Sequence, residues 1–158
     1  MTQTAKSSAM AALAAIAMTA GLSGMATAQA VTECDWRTRA VNLVEPWERF
    51  SRSFSNGAVR VALIDTVEPA AAAFHLMIIS PPYSEQGDPQ CVVISRNASG
   101  GGFSGAYFEE LVSDYDPSVG LTFSLPVQVM NQDATKFFRA QLDLTLNQAT
   151  GDISGRLQ

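Results

Sequence analysis

His75 is the one histidine in the sequence, and Cys34 and Cys91 are its two cysteines. These are the side chains whose types most readily do chemistry near neutral pH, as general base, nucleophile or metal ligand. His75 lies between Phe74 and Leu76. In strand alternation it shares a face with Ala73, Met77 and Ile79, which reads as a partly buried imidazole with a hydrogen-bond partner. One histidine beside two cysteines lacks the ligand spacing of a zinc site. Ser104 sits in Gly102-Phe103-Ser104-Gly105-Ala106, one residue short of the G-x-S-x-G elbow of hydrolases. Its histidine would have to be His75, which precedes it, against the usual Ser, acid, His order. The bland role for Ser104 is a helix cap.

Gly100, Gly102 and Gly105 match G-x-G-x-x-G after the apolar run Cys91–Ser95. A dinucleotide turn also needs an acid about 20 residues further on and a βαβ unit around it. That count lands on Leu125, inside a strand-like stretch, so the glycines read as a loop. No Lys-Ser/Thr follows them to make a phosphate loop. Asp114, Asp116 and Ser118 start like a calcium loop, but Val119 stands where glycine is needed and Leu125 where glutamate is needed. An irregular cation site from Glu109, Glu110, Asp114 and Asp116 is the rival to a solvated acidic helix end. Nothing singles out a catalytic pair among the fifteen Asp and Glu. No catalytic residue, cofactor or metal is expected.

The N-terminus says where the chain works. Lys6 precedes an apolar core, Met10–Ala20, and then Ala28-Gln29-Ala30. This is the pattern of a secretory signal peptide, with cleavage expected after Ala30 and Ala26-Thr27-Ala28 as a second site. The apolar core is too short to span a bilayer, which needs roughly 20 residues. Cys34 does not directly follow the cleavage site, so neither a lipid anchor nor any stable membrane anchor is expected. Residues 1–30 are thus read as leader and 31–158 as one β-rich domain. In an exported chain an even cysteine count reads as a disulfide, Cys34–Cys91. Residues 31–158 keep nine Lys and Arg against fifteen acids, a formal charge of −6, which argues against nucleic-acid binding. Five of the nine (Arg37, Arg39, Arg49, Arg52, Arg60) interleave with Glu33, Asp35, Glu45 and Glu48, as on a solvated face with mixed pairs.

The elements that must position these residues are mostly strands. Leu121, Phe123, Leu125, Val127 and Val129 alternate with Thr122, Ser124 and Gln128. Phe138, Ala140, Leu142, Leu144 and Leu146 alternate with Arg139, Gln141, Asp143 and Thr145. That pattern is an antiparallel sheet with one wet face. Pro126 points to an edge strand or a bulge. Asn56-Gly57 predicts a hairpin joining Phe50–Ser55 to Ala58–Asp65, in competition with a helix from Pro46 to Phe54. Ala73–Ser80 reads as a buried strand stopped by Pro81-Pro82, and Pro81–Pro89 as a loop. Asn147–Asp152 turns into a last strand, Ile153–Leu157. A helix is expected over Tyr107–Tyr115, from the spacing of Tyr107, Phe108, Leu111, Val112 and Tyr115. The fold expected is mainly β, an antiparallel sandwich or partly closed barrel with one or two short helices.

The stretches E-P-W-E, S-N-G-A-V-R-V-A-L-I-D-T-V-E-P-A-A-A-A-F-H-L, S-P-P-Y and Q-C-V-V-I-S, with L-N-Q-A-T-G near the end, resemble small uncharacterised exported proteins of alphaproteobacteria. The resemblance spans most of residues 31–158. It implies export and a periplasmic or secreted address, and carries no activity, substrate or site residue with it. The function expected is an exported, non-catalytic module that binds a protein or cell-envelope partner through loops such as Pro81–Pro89 and the glycine loop. Two alternatives stand beside it. One is a barrel-type carrier of a small apolar ligand, lined by residues such as Phe123, Leu125, Phe138, Leu142 and Leu144. The other is a hydrolase using His75 and Ser104.

Overall fold

The computed structural model describes residues 27–131 and 133–158. Lys6 and the apolar stretch Met10–Ala20, read from sequence as part of a leader, lie outside the described residues. The chain is a mainly β protein built of two antiparallel sheets. In chain order the strands are β1 (Thr27–Ala28), β2 (Ala30–Glu33), β3 (Ser51–Phe54), β4 (Val59–Asp65), β5 (Phe74–Tyr83), β6 (Pro89–Ser95), β7 (Gly105–Ala106), β8 (Val112–Asp116), β9 (Gly120–Met130), β10 (Phe137–Leu146) and β11 (Ile153–Leu157). One sheet runs β1-β11-β10-β9-β7, with β8 also pairing β9, and the other runs β2-β6-β5-β4-β3.

Alternation explains the core. Leu121, Phe123, Leu125, Val127 and Val129 of β9 and Leu142, Leu144 and Leu146 of β10 point into the space between the sheets. Val59, Val61 and Leu63 of β4, Leu76 and Ile78 of β5 and Ile94 of β6 meet them there. The Phe54 and Phe123 rings join the two layers edge to face at 5.0 Å. Leu125, Leu142 and Ile78 are 0% exposed. The sandwich is therefore filled and there is no closed barrel. The space a barrel-type carrier would keep for its ligand is occupied by side chains, while Phe138 stays half exposed at the end of β10.

Several local expectations are corrected. Tyr107–Tyr115 is not a helix. Only a 3-10 turn, Phe108–Glu110, forms before β8. The apolar residues at helical spacing are satisfied separately: Phe108 and Leu111 enter the core, and Val112 and Tyr115 stay exposed on the strand. Pro81 and Pro82 do not stop β5, which continues to Tyr83 past a register shift, so the loop shrinks to residues 84–88. Pro126 marks neither an edge nor a bulge. It pairs with Gln141 of β10, and on its other side it lies between the end of the β8 ladder at Ser124 and the start of the β7 pairs at Val127. A missing N–H costs nothing at that break, and the Pro126 carbonyl still accepts from Tyr107 N–H at 3.0 Å. Between Pro46 and Asp65 both signals operate in turn. One helical turn, α1 (Trp47–Phe50), leads directly into the β3–β4 hairpin, whose turn places Ser55, Asn56 and Gly57 at positive φ.

The connection from β2 to β3 organises the rest. These two strands are the opposite edges of one sheet, so residues 34–50 run from one edge to the other as a strap, with Arg37 over the outer face at Ser95. The strap is pinned by the Cys34–Cys91 disulfide and by the Leu43–Ile64 bridge with Val44 N–H on Leu63 O at 3.1 Å. Beneath it Ile64, His75, Val93 and Ser95 are buried although they face away from the core. At the other end of the chain's first paired segment, β1 joins β11 and β2 joins β6. Residues 27–33 thus step from one sheet to the other at Gln29. Residues 27–30, read from sequence as the end of the leader, are part of this pairing.

Candidate functional site

Under the strap lies a charged network that the sequence did not announce. Arg37, spaced like a surface charge, is 6% exposed. Asp35 caps the turn Trp36–Thr38 by accepting from Arg37 N–H at 2.9 Å, and its carboxylate then takes Arg37 Nε and Nη2, both at 2.9 Å. The other guanidinium donors reach Ser95 Oγ at 2.7 Å and Thr32 Oγ1 at 2.9 Å. Ser95 Oγ lies 3.0 Å from His75 Nδ1. Because Arg37 can only donate, Ser95 accepts from it and keeps its own proton for Nδ1. Burial, with the Arg37 charge adding to it, pushes the His75 pKa down to about 4, and the Arg37 hydrogen bonds hold the Asp35 carboxyl below its ordinary value.

The arrangement has the parts of a nucleophile and base, Ser95 and His75. Both are buried, Ser95 at 0% exposure, and Ser95 Oγ is already saturated by Arg37 and His75. The glycine loop seals the site. Gly102 N–H donates to Ala72 O at 2.8 Å, and Phe103 and Phe74 exchange two backbone bonds. A Cβ on Gly102 would sit 2.4 Å from Phe74 O and 2.9 Å from His75 Cε1. The glycine there permits close backbone approach rather than phosphate binding. No helix follows it. Ser104, paired in expectation with His75, instead donates to Ala71 O at 2.6 Å.

The acids weighed as an irregular cation site are dispersed. Glu109 pairs with Arg49 and Glu110 with Arg139, while Asp116 accepts from Ser118 N–H at 2.7 Å and from its hydroxyl. Of the arginines in residues 33–60, Arg37 pairs with its neighbour Asp35, as a mixed pair, while Arg49 finds its partner across the fold. Arg52 likewise donates to Leu111 O at 2.6 Å and Glu109 O at 3.0 Å.

A broad concavity lies elsewhere, on the outer face of β8–β9–β10–β11, and has a volume of about 560 Å³. Its wall is mostly the wet side of the alternating strands, with Val112, Phe123 and Leu144 also reaching it. Asp114 comes from β8, Thr122 and Ser124 from β9, Asp143 and Thr145 from β10, and Ser154 and Arg156 from β11. The register sets Thr122 opposite Thr145, Ser124 opposite Asp143, Thr145 opposite Ser154 and Asp143 opposite Arg156. Asp143 is held in place. It accepts from Ser124 Oγ and Gln158 Nε2, both at 2.6 Å, with Arg156 Nε at 3.9 Å. The side chains of Asp114, Thr145 and Ser154 make no hydrogen bond among the described residues. The groove therefore offers donors and acceptors around an ordered centre. The pattern was legible as a wet face, but its curvature was not. No protein-family model, curated protein or solved structure matches the chain, and among the described residues no helix is long and apolar enough to cross a membrane.

Proposed function

We propose that the chain is an exported, non-catalytic binding module of the periplasm or secreted space, and that the groove over β8–β11 is its contact surface. The partner this favours is an envelope component presenting hydroxyl and amide groups, such as a glycan. The observation that carries the reading is the groove's wall of hydroxyls and carboxylates, with Asp114, Thr145 and Ser154 left to a partner. The one serine–histidine contact, in contrast, is closed to solvent. Export is supported by the leader pattern and by the Cys34–Cys91 bond, which persists in oxidising compartments.

The test is co-sedimentation of the oxidised protein with insoluble cell-wall glycan. Thr145→Val and Asp114→Asn should each weaken binding about fivefold, the worth of one hydrogen bond. Binding that ignores both substitutions, or none at all, removes the groove as the contact surface.

A further inference from the structure

A second hollow lies on the opposite sheet, between the strap and the outer face of β3–β4–β5, with a volume of about 200 Å³. Leu43 and Trp47 of the strap form one wall. Ala62, Met77 and Ile79 form the other. The register sets Ala62 beside Met77 and Arg60 beside both Ile79 and Ser53, so the apolar walls end at a guanidinium and a hydroxyl. Among the described residues no carboxylate lines the hollow, whereas Arg52 and Arg60 both do, in a chain with fifteen acids and ten bases. Arg52 is committed to two carbonyl oxygens. Arg60 is exposed and makes no hydrogen bond or ion pair among the described residues.

An apolar hollow with one uncommitted cation at its mouth is complementary to an amphiphile with one negative end. Its size, below the roughly 300–1,000 Å³ of drug-sized sites, suits a single short chain whose charged end stays at the mouth. We infer that this hollow binds a free single-tailed carboxylate, its chain against Leu43, Trp47, Met77 and Ile79 and its headgroup on Arg60.

Octanoate is the probe. The readout is fluorescence of Trp47, half exposed on the pocket wall, in a Trp36→Phe background where it is the remaining indole. The expected result is a saturable change that weakens about tenfold in Arg60→Gln. Arg60→Lys should retain part of it, and Arg39→Gln, another exposed arginine, should not alter it. 1-Octanol should bind more weakly than octanoate by a similar factor. No saturable change, equal affinity in Arg60→Gln, or octanol binding as tightly as octanoate would each overturn the inference. So would co-sedimentation with phosphatidylglycerol vesicles in a protein that ignores octanoate, because the cation would then serve a bilayer and not a free chain.

Discussion

His75 binds its proton more weakly in the fold than in the open chain, and that difference is a stability. Its pKa falls from 6.5 to about 4, through burial first and the Arg37 charge second. Between those two values the unfolded chain holds more protons than the native one, so stability rises with pH across the window. As pH drops from about 6.5 to about 4 the native state should lose up to about 3 kcal/mol from this residue. Below pH 4 both states are protonated and the loss levels off. Asp35, held low by Arg37, adds its own loss only below its ordinary value. His75→Gln keeps an acceptor for Ser95 without the titration. Urea midpoints at pH 7.5 and 4.5 should therefore differ clearly in the parent protein and little in the variant. An equal fall in both would remove His75 as the cause. Burial and a partner for His75 were legible from its place in an apolar strand. Ser95 as that partner was not, because it depends on the β5–β6 register. Arg37 was read as a surface charge because local sequence does not show that the chain doubles back over it.

The strap is the element whose position the sequence least revealed, and the disulfide is what holds its start. Cys34 and Cys91 are separated by 57 residues, and closing such a loop is worth about 4 kcal/mol in the chain-entropy model. Replacing both by alanine should lower unfolding stability by about that amount. The loss should not be uniform: the end of the strap near residue 34 should open first, because only its backbone bond to residue 91 and the bonds of Arg37 to Ser95 and Thr32 then hold it among the described residues. Hydrogen exchange should show Thr38 and Asn42 amides losing protection while those of β9 and β10 keep theirs. Uniform loss across both sheets would mean the strap is not a separate unit. The cysteine pairing was readable from count and compartment, and the β9–β10 hairpin from strict alternation. The Tyr107–Tyr115 segment misled because its apolar residues fit a helical stripe. Tertiary demands split them: two go to the core, one arginine takes Leu111 O and Glu109 O, and a free edge of β9 takes the rest.

For the whole molecule, the sandwich edge lies at the residues that the sequence reads as the end of a leader. Gln29 is 7% exposed, its N–H donates to Gly155 O at 3.0 Å, and a Cβ on Gly155 would come within 3.2 Å of its own Cβ. Ala30 pairs with Ser95, beside the Arg37 network. A chain beginning at Val31, as cleavage after Ala30 would leave it, lacks both contacts. A chain beginning at Gln29, from cleavage after Ala28, keeps both and, among the described residues, loses the two β1 pairs with β11. One backbone hydrogen bond and the burial of one side chain should make the Gln29 chain the more stable by about 2 kcal/mol. For a chain of this size that is a rise in Tm of roughly 4–8 °C. Two refolded proteins differing only in these two residues, melted side by side, measure it. Equal melting would show that the sheets hold their edge without the crossing at Gln29, so that cleavage after Ala30 costs the fold nothing. A clear gap would mean that the position of cleavage sets the stability of the mature protein.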